Sequence, residues 1–198
     1  RGGGMDIELS VLIPGISERL PCQVYADLCA QMVGKPVEIL YFGDSRAMTV
    51  GRKRNILLAV AQGKWFAFVD DDDSVAPNYL SCLLAATKAA PPETGVIVFG
   101  QDCIHADTEL VEHCTYGLEF PYESGPNPDG SHWWRGKPAH TMCWRTDAVQ
   151  TVEFPEGNFG EDVGWVARAC ERVKVEYRLD ETLYYYRFDP AKSRTRGQ

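Results

Sequence analysis

"GRKRNILLAVAQGKWFAFVDDDDSVAPNYL", residues 51–80, decides how this chain is read. "GRKRNILLAVAQG" (51–63) reads as a helix closed by Gly63, and "KWFAFVD" (64–70) as a strand. Four carboxylates, Asp70 to Asp73, follow at once. Pro77 suits the first turn of a helix over "PNYLSCLLAATKAA" (77–90), which Pro91 and Pro92 stop. Like charges in succession repel, so a hydrophobic strand that ends in four of them needs a reason.

The flanking sequence repeats the alternation. "IELSVLIP" (7–14) reads as a buried strand. Residues 18–33 carry Leu20, Val24, Leu28 and Met32 at near-helical spacing, before Gly34 and Pro36. "VEILYF" (37–42) is a strand, "GDSRAMTV" (43–50) a loop, and "GVIVFG" (95–100) a fourth strand. Strand and helix alternating in this way predict an α/β fold with a mostly parallel central sheet and right-handed crossovers. Beyond residue 100 the pattern loosens. "ESGPNPDGSHWWRGKP" (123–138) is rich in Gly, Pro and Asn and reads as a long, mobile loop that ligands would order. "FGEDVGWVARACERV" (159–173) reads as a helix with Val163, Val166, Ala167, Cys170 and Val173 on its apolar face. "VKVEYRL" (173–179) and "TLYYYRF" (182–188) read as two strands, before a polar, basic tail.

The bulk numbers bound the function. A chain of 198 residues suits one domain with a real core. "RGGG" before Met5 reads as a cloning remnant, leaving 5–198 as the domain. A formal charge of −8 disfavours nucleic acid and anionic membrane as partners. No apolar run approaches the roughly 18 residues a membrane span needs. Seven cysteines without a CxxC pair or a secretion signal read as reduced thiols in a cytoplasmic protein, not as a zinc site.

In open α/β sheets ligands bind beyond the carboxyl ends of the strands, where Asp70–Asp73 fall. Period-two alternation puts Phe66, Phe68, Asp70 and, in extended backbone, Asp72 on one side. Carboxylates on a rigid strand attract a hard cation, Mn²⁺ or Mg²⁺, whose shell phosphate oxygens complete. Such an ion would also relieve the repulsion. The competing reading is an acidic turn in which Asp73 and Ser74 cap the next helix.

The stretch 51–80 resembles the central segment of family 2 glycosyltransferases, which have the GT-A fold. Arg54-Asn55, Ala61-Gln62-Gly63 and the D-x-D of Asp70, Asp71 and Asp72 match its motifs in order. "FPEGNFGEDVGW" (154–165) is similar to the family's F-P-E…E-D element, "YYYRFDPAKSRTR" (184–196) to its Tyr/Arg/Ser ending, and "LSVLIPGISER" (9–19) to its first nucleotide-binding strand and loop. The resemblance implies a Rossmann-like GT-A sheet with a smaller acceptor-side β region. About 5–100 would form the nucleotide-sugar half and about 101–198 the acceptor half, in a minimal catalytic domain without a C-terminal extension. It implies sugar transfer from a nucleoside-diphosphate donor, a UDP-sugar, to a carbohydrate or other hydroxyl acceptor, with inversion and with Mn²⁺ or Mg²⁺.

By the same resemblance, Asp162 is the general base and Glu161 orients the acceptor or the base. Pro14, Ser17, Asp44, Arg54, Asp70 and Asp71 contact the donor. Asp72 is the main metal ligand, and Asp70 supports the ribose or the ion. Of the Asp-Asp-Gly-Ser-like turn that touches the base in this family, only Asp44-Ser45 is present. His140 falls where the family lines its donor pocket, and metal ligation is one role open to it. Trp133 and Trp134 either stack on sugars or fold inward. Arg187, Lys192, Arg194 and Arg196 either close over the diphosphate or form a loose tail. The alternatives are a nucleotidyltransferase, a non-catalytic nucleotide-sugar-binding module and a phage-type transferase acting on modified DNA. A nucleotidyltransferase needs a Gly-rich basic loop, which "PGISERLP" (14–21) does not provide.

Overall fold

The computed structural model describes residues 6–20 and 22–189. Strand β1 (Leu9–Ile16) lies at the heart of the sheet, and Leu9, Val11, Leu12 and Ile13 are all solvent-inaccessible. A strand covered on both faces is apolar at successive positions, as this one is. Strands β2 (Val37–Asp44) and β3 (Trp65–Phe68) flank it, both parallel to it. Helix α1 (Gln23–Met32) links β1 to β2, and α2 (Val50–Val60) carries the chain back past β1 to β3. Right-handed crossovers in opposite directions place these helices on opposite faces. The strand order reverses at β1, so a crevice opens at the carboxyl ends of β1 and β3.

The chain continues through β4 (Ser74–Val75), α3 (Tyr79–Ala89), β5 (Val96–His105) and β6 (Val111–Tyr116). It then forms β7 (Glu123–Pro126), β8 (His132–Gly136), β9 (Cys143–Arg145), α4 (Thr146–Val149), α5 (Glu161–Arg172) and β10 (Glu176–Phe188). Strand β9 lies between β3 and β5, antiparallel to both, so β5 keeps the direction of β1–β3. The central strands are mostly parallel with helices packed on them, which is the GT-A arrangement. A β-rich extension of β6, β8 and β7 continues from β5.

Four expectations need correction. The helix expected over 18–33 begins only at Gln23, after a 3₁₀ turn at Ser17–Arg19, and Leu20 is exposed. The segment 123–138 is a paired hairpin, not a mobile loop: β7 pairs antiparallel with β8, and β8 parallel with β6. Asn127, Pro128 and Gly130 form the turn, while Gly125, Pro126 and Gly136 are taken into the strands. In the turn Gly130 adopts φ +90° and the Asn127 amide donates to the Ser131 carbonyl (2.8 Å). Trp134 folds inward against Tyr116 (5.4 Å) and Tyr122 (5.9 Å), and Arg135 lies over Trp133. The buried face of α5 is Glu161, Trp165, Val166, Ala169 and the following Val173, whereas Val163 and Ala167 face solvent. Of the expected face Val166, Cys170 and Val173 do pack on the core, but the face is centred on Trp165, which apolar spacing had left out. The two strands expected over 173–188 are one, β10, with an irregularity between Arg178 and Thr182.

Trp165 anchors α5. It stacks on Phe154 (4.8 Å, 3° between planes), meets Trp144 edge-on (5.1 Å), and donates its indole N–H to the Val152 carbonyl (2.8 Å). The loop before α5 is tied to α2. Asn55 exchanges two hydrogen bonds with the Phe154 backbone (2.7 and 2.9 Å), and the Gly51 amide donates to the Gly157 carbonyl (3.1 Å). A Cβ on Gly51 would lie 2.1 Å from the Pro155 carbonyl oxygen, so only glycine permits this approach. Gly51→Ala is expected to destabilise the fold by about 1–3 kcal/mol through overpacking against rigid backbone. Chemical denaturation measures this, and faster amide exchange around 155–162 would locate the damage.

Candidate active site

The crevice at the switch point is a cleft of about 610 Å³. Pro14, Arg19, Asp70–Asp73, Arg54, His140 and Asp162 are among the residues that line it. The acidic quartet sits at the end of β3, and each member has its own environment.

Asp70 accepts from Arg54 Nη2 (3.0 Å), and its amide donates to the Tyr184 hydroxyl (3.1 Å). Burial works to raise its pKa, but the Arg54 guanidinium outweighs that and holds the carboxyl well below the usual range. Asp71 accepts from the Ile16 amide (3.0 Å) and from Arg19 (2.5 Å), which ties the end of β1 to the end of β3. Asp72 pairs with Arg19 at 2.9 Å, yet its side chain remains 58% exposed. Partial burial, and after it the charges of Asp70 and Asp71, raise its pKa against the pull of Arg19. Asp73 is buried and accepts from the Tyr184 hydroxyl (2.6 Å) and the Arg187 amide (3.4 Å). Burial, with the nearby Asp70 charge, pushes its pKa up to about 8. Arg54 and Arg19 offset part of the charge of the quartet from within the protein.

Arg54 is the hub. It is 3% exposed, and its guanidinium donates to Glu161, Asp70 and His140 Nε2 (3.0 Å) while lying over Phe68 and Phe154. Arg54 also lines the cleft, and its buried Nε has no hydrogen-bond partner. Glu161 has a side chain only 7% exposed, committed to Arg54. It is a buried counter-ion to Arg54 at the edge of the same cleft. Asp162, one residue on, is 38% exposed at the cleft. Gly160, at φ +69°, starts α5 so that successive residues point to opposite destinations.

Pro14 lines the cleft, whereas Ser17 is exposed and does not; Ile16 and Arg19 line it instead. Asp44 is held by Lys53 and by the amides of Arg46 (3.1 Å) and Met48 (2.7 Å), which together keep its pKa low. Lys53, which looked like a surface cation, is buried and also donates to the Gly15 carbonyl (2.7 Å). Trp133 and Trp134 stand apart from the cleft lining. Arg187 reaches Asp73 through its amide. Lys192, Arg194 and Arg196 lie outside the described residues. Sequence reasoning missed Arg19, Lys53 and Tyr184. For Lys53, the available signal was its position one turn into a helix that enters the switch point.

Among the described residues, no three His, Cys, Asp or Glu side chains converge as a metal cage, and no helix is long and apolar enough to cross a membrane. The oxygen donor of Asp72 suits a hard cation that takes most of its shell from phosphate and water.

An α/β sheet with an acidic cleft at its switch point defines a nucleotide-binding class of fold. The family model for glycosyl transferase family 2 matches residues 25–150, and the chain belongs to that family. No curated protein sequence matches it. Among solved structures it is similar to S. aureus TarS 1-349 in complex with UDP. The TM-score is 0.62 at 16% identity, with 92% of this chain and 61% of that one covered. TarS 1-349 in complex with UDP-GlcNAc gives 0.58 at 14% identity, covering 91% and 58%. Longer TarS gives 0.58 at 14% identity, covering 91% and 37%. The chain thus spans between 37% and 61% of the length of these TarS chains, and at these identities the likeness is one of fold.

Two outcomes test the electrostatics. Arg54→Met is expected to destabilise by about 3–5 kcal/mol, because it leaves Asp70 and Glu161 buried without their cation; denaturant unfolding reads this. Asp73 carries a folded-state pKa raised from 3.8 to about 8. Its contribution is fully present below the unfolded value and is lost as pH rises towards and through 8. Asp70, lowered instead, contributes above its unfolded value and loses that contribution in acid. In metal-free buffer Asp73→Asn should flatten the decline of melting temperature between pH 4 and 8 seen in the parent. An unchanged decline rules out a retained proton on Asp73.

Proposed function

We propose that this chain transfers a sugar from a UDP-sugar to an acceptor hydroxyl with inversion. The observation that carries the reading is the division of labour among the cleft acids. Asp71 and Glu161 are buried and bound to arginines, Asp73 is buried on Tyr184, and Asp70 is held by Arg54. Asp72 and Asp162 keep the largest exposure, 58% and 38%. One cleft-exposed acid at the end of β3, paired only with the rim residue Arg19, and another at the start of α5 match the two needs of the reaction.

At the donor side, Asp72 would hold Mn²⁺ or Mg²⁺, which neutralises charge on the departing diphosphate. Asp70 is better placed to orient Arg54 and His140 than to bind the ion. Arg19, exposed at the rim beside Asp72, supplies a cation for phosphate oxygens once it lets go of the carboxylates. The structural likeness to TarS with UDP and with UDP-GlcNAc supports the choice of a UDP donor. At the acceptor side, Asp162 takes the proton as the hydroxyl oxygen attacks the anomeric carbon. The bond from that carbon to the diphosphate breaks, and its electron pair leaves with UDP. Attack from the face opposite the leaving group inverts the centre. The unpaired thiols of the chain fit a reducing, cytoplasmic setting.

Thermal shift with UDP and UDP-GlcNAc, with and without Mn²⁺, tests the donor. A ligand at 100 times its Kd adds about 2.7 kcal/mol. Asp72→Ala should abolish the Mn²⁺-dependent part of that shift while the unliganded melting temperature holds. Asp162→Asn should keep donor binding and lose about 10²–10⁴-fold in transfer. Binding without turnover in the parent chain identifies a binding module. Transfer at the parental rate by Asp162→Asn removes the base.

A further inference from the structure

We propose that His140, uncharged and with its proton on Nδ1, is a positioning residue that aims the Asp162 carboxylate at the cleft. The proposal rests on the reading of Asp162 as the base. His140 precedes β9 in a segment pinned by two bonds to the Ala139 carbonyl, from the Met142 amide (3.1 Å) and the Trp144 indole (3.2 Å). Its ring is buried against Phe68 (6.3 Å). One ring nitrogen, Nε2, lies 3.0 Å from Arg54 Nη2, well inside its 3.8 Å separation from Asp70 Oδ2, so the guanidinium is its hydrogen-bond partner. A guanidinium nitrogen only donates, so Nε2 must accept and carries no hydrogen. Asp70 and Glu161 fix the guanidinium, so the tautomer is fixed too. The hydrogen of the ring is then on Nδ1, and Nδ1 faces Asp162 Oδ2 at 3.7 Å.

At 3.7 Å the pair is longer than a hydrogen bond, and a small swing of the carboxylate closes it. Contacts of this kind tighten when substrates bind. Asp162 Oδ1 already accepts from the Val163 amide (2.9 Å). With an N–H donor at each oxygen, the carboxylate plane is set and its remaining lone pairs face the cleft. The same geometry excludes a relay. Nδ1 already bears a proton and Nε2 is capped by Arg54, so the proton taken from the acceptor stays on Asp162 until solvent removes it.

The test uses the ¹⁵N-labelled full chain and UDP-GlcNAc hydrolysis, in which water stands in for the acceptor. Long-range ¹⁵N–¹H spectra at neutral pH should show a protonated Nδ1 and a bare Nε2 for His140, and Asp162→Asn should shift the Nδ1 signal. His140→Gln retains an acceptor near Nε2 but no donor near Nδ1. It should keep melting temperature and KM and lose up to about 10²-fold in kcat. His140→Asn presents an amide N–H near the Nδ1 position and should retain more of kcat than the glutamine variant. Protonated Nε2, an Nδ1 signal indifferent to Asp162→Asn, or parental kcat in His140→Gln overturns the proposal. Equal losses in both variants, tracking melting temperature, also overturn it in favour of a packing role. If the parent hydrolyses no UDP-GlcNAc while the spectra behave as stated, the donor reading fails and the His140–Asp162 link stands.

Discussion

A guanidinium sealed from water governs this molecule. Burying a cation is costly unless hydrogen-bonded anions surround it, and removing one partner then costs more than the pair contributes. Arg54 meets that condition by drawing together Asp70 from the end of β3, Glu161 from the start of α5 and His140 from the approach to β9. These elements are distant in sequence. The ion cluster fixes their relative placement more narrowly than apolar contact does, because a guanidinium accepts partners only in its plane. The aromatic layer beneath it, with Phe68 and Phe154 against the guanidinium and Trp165 stacked on Phe154, supplies the low-polarity floor.

The acidic quartet is a consequence of that arrangement. Each aspartate meets a different fate: paired in the interior, bridged to β1, left open at the rim, or kept protonated. A run of identical residues thus produces four chemically distinct groups. Tyr184 contributes by taking a hydrogen bond from the Asp70 amide while giving one to Asp73. The reach of β10 beyond its irregularity at 178–182 is what brings that tyrosine under the quartet.

Much of this was legible in the sequence. The alternation of strand and helix to residue 100 predicted β1–β3, β5 and the helices between them, because a buried parallel sheet writes continuous apolar runs. The place of Asp70–Asp73 in the cleft followed from their position at a strand end, whereas Asp162 was singled out by the family resemblance. The β7–β8 hairpin was hidden because Pro, Asn and Gly coloured a window whose outer residues pair. The partnership of Arg54 with Glu161 was invisible because 107 residues separate the two and no periodicity connects them. Lys53 carried no signal of its burial, since burial of a charge depends on partners that only the fold reveals.

The antiparallel strand at Cys143–Arg145 bears on how the chain folds. It is slotted between β3 and β5, whose residues precede it by dozens of positions. During synthesis the edge of β3, made of Trp65–Phe68, stays without its neighbour until residue 145 has emerged. The amino-terminal portion is therefore not a self-sufficient folding unit, whatever nucleotide chemistry it carries. Sheets completed by such late, long-range pairings form slowly, and an unpaired apolar edge invites other chains meanwhile. Truncation between β5 and β9 would leave that edge permanently open, so soluble fragments of this protein must retain β9.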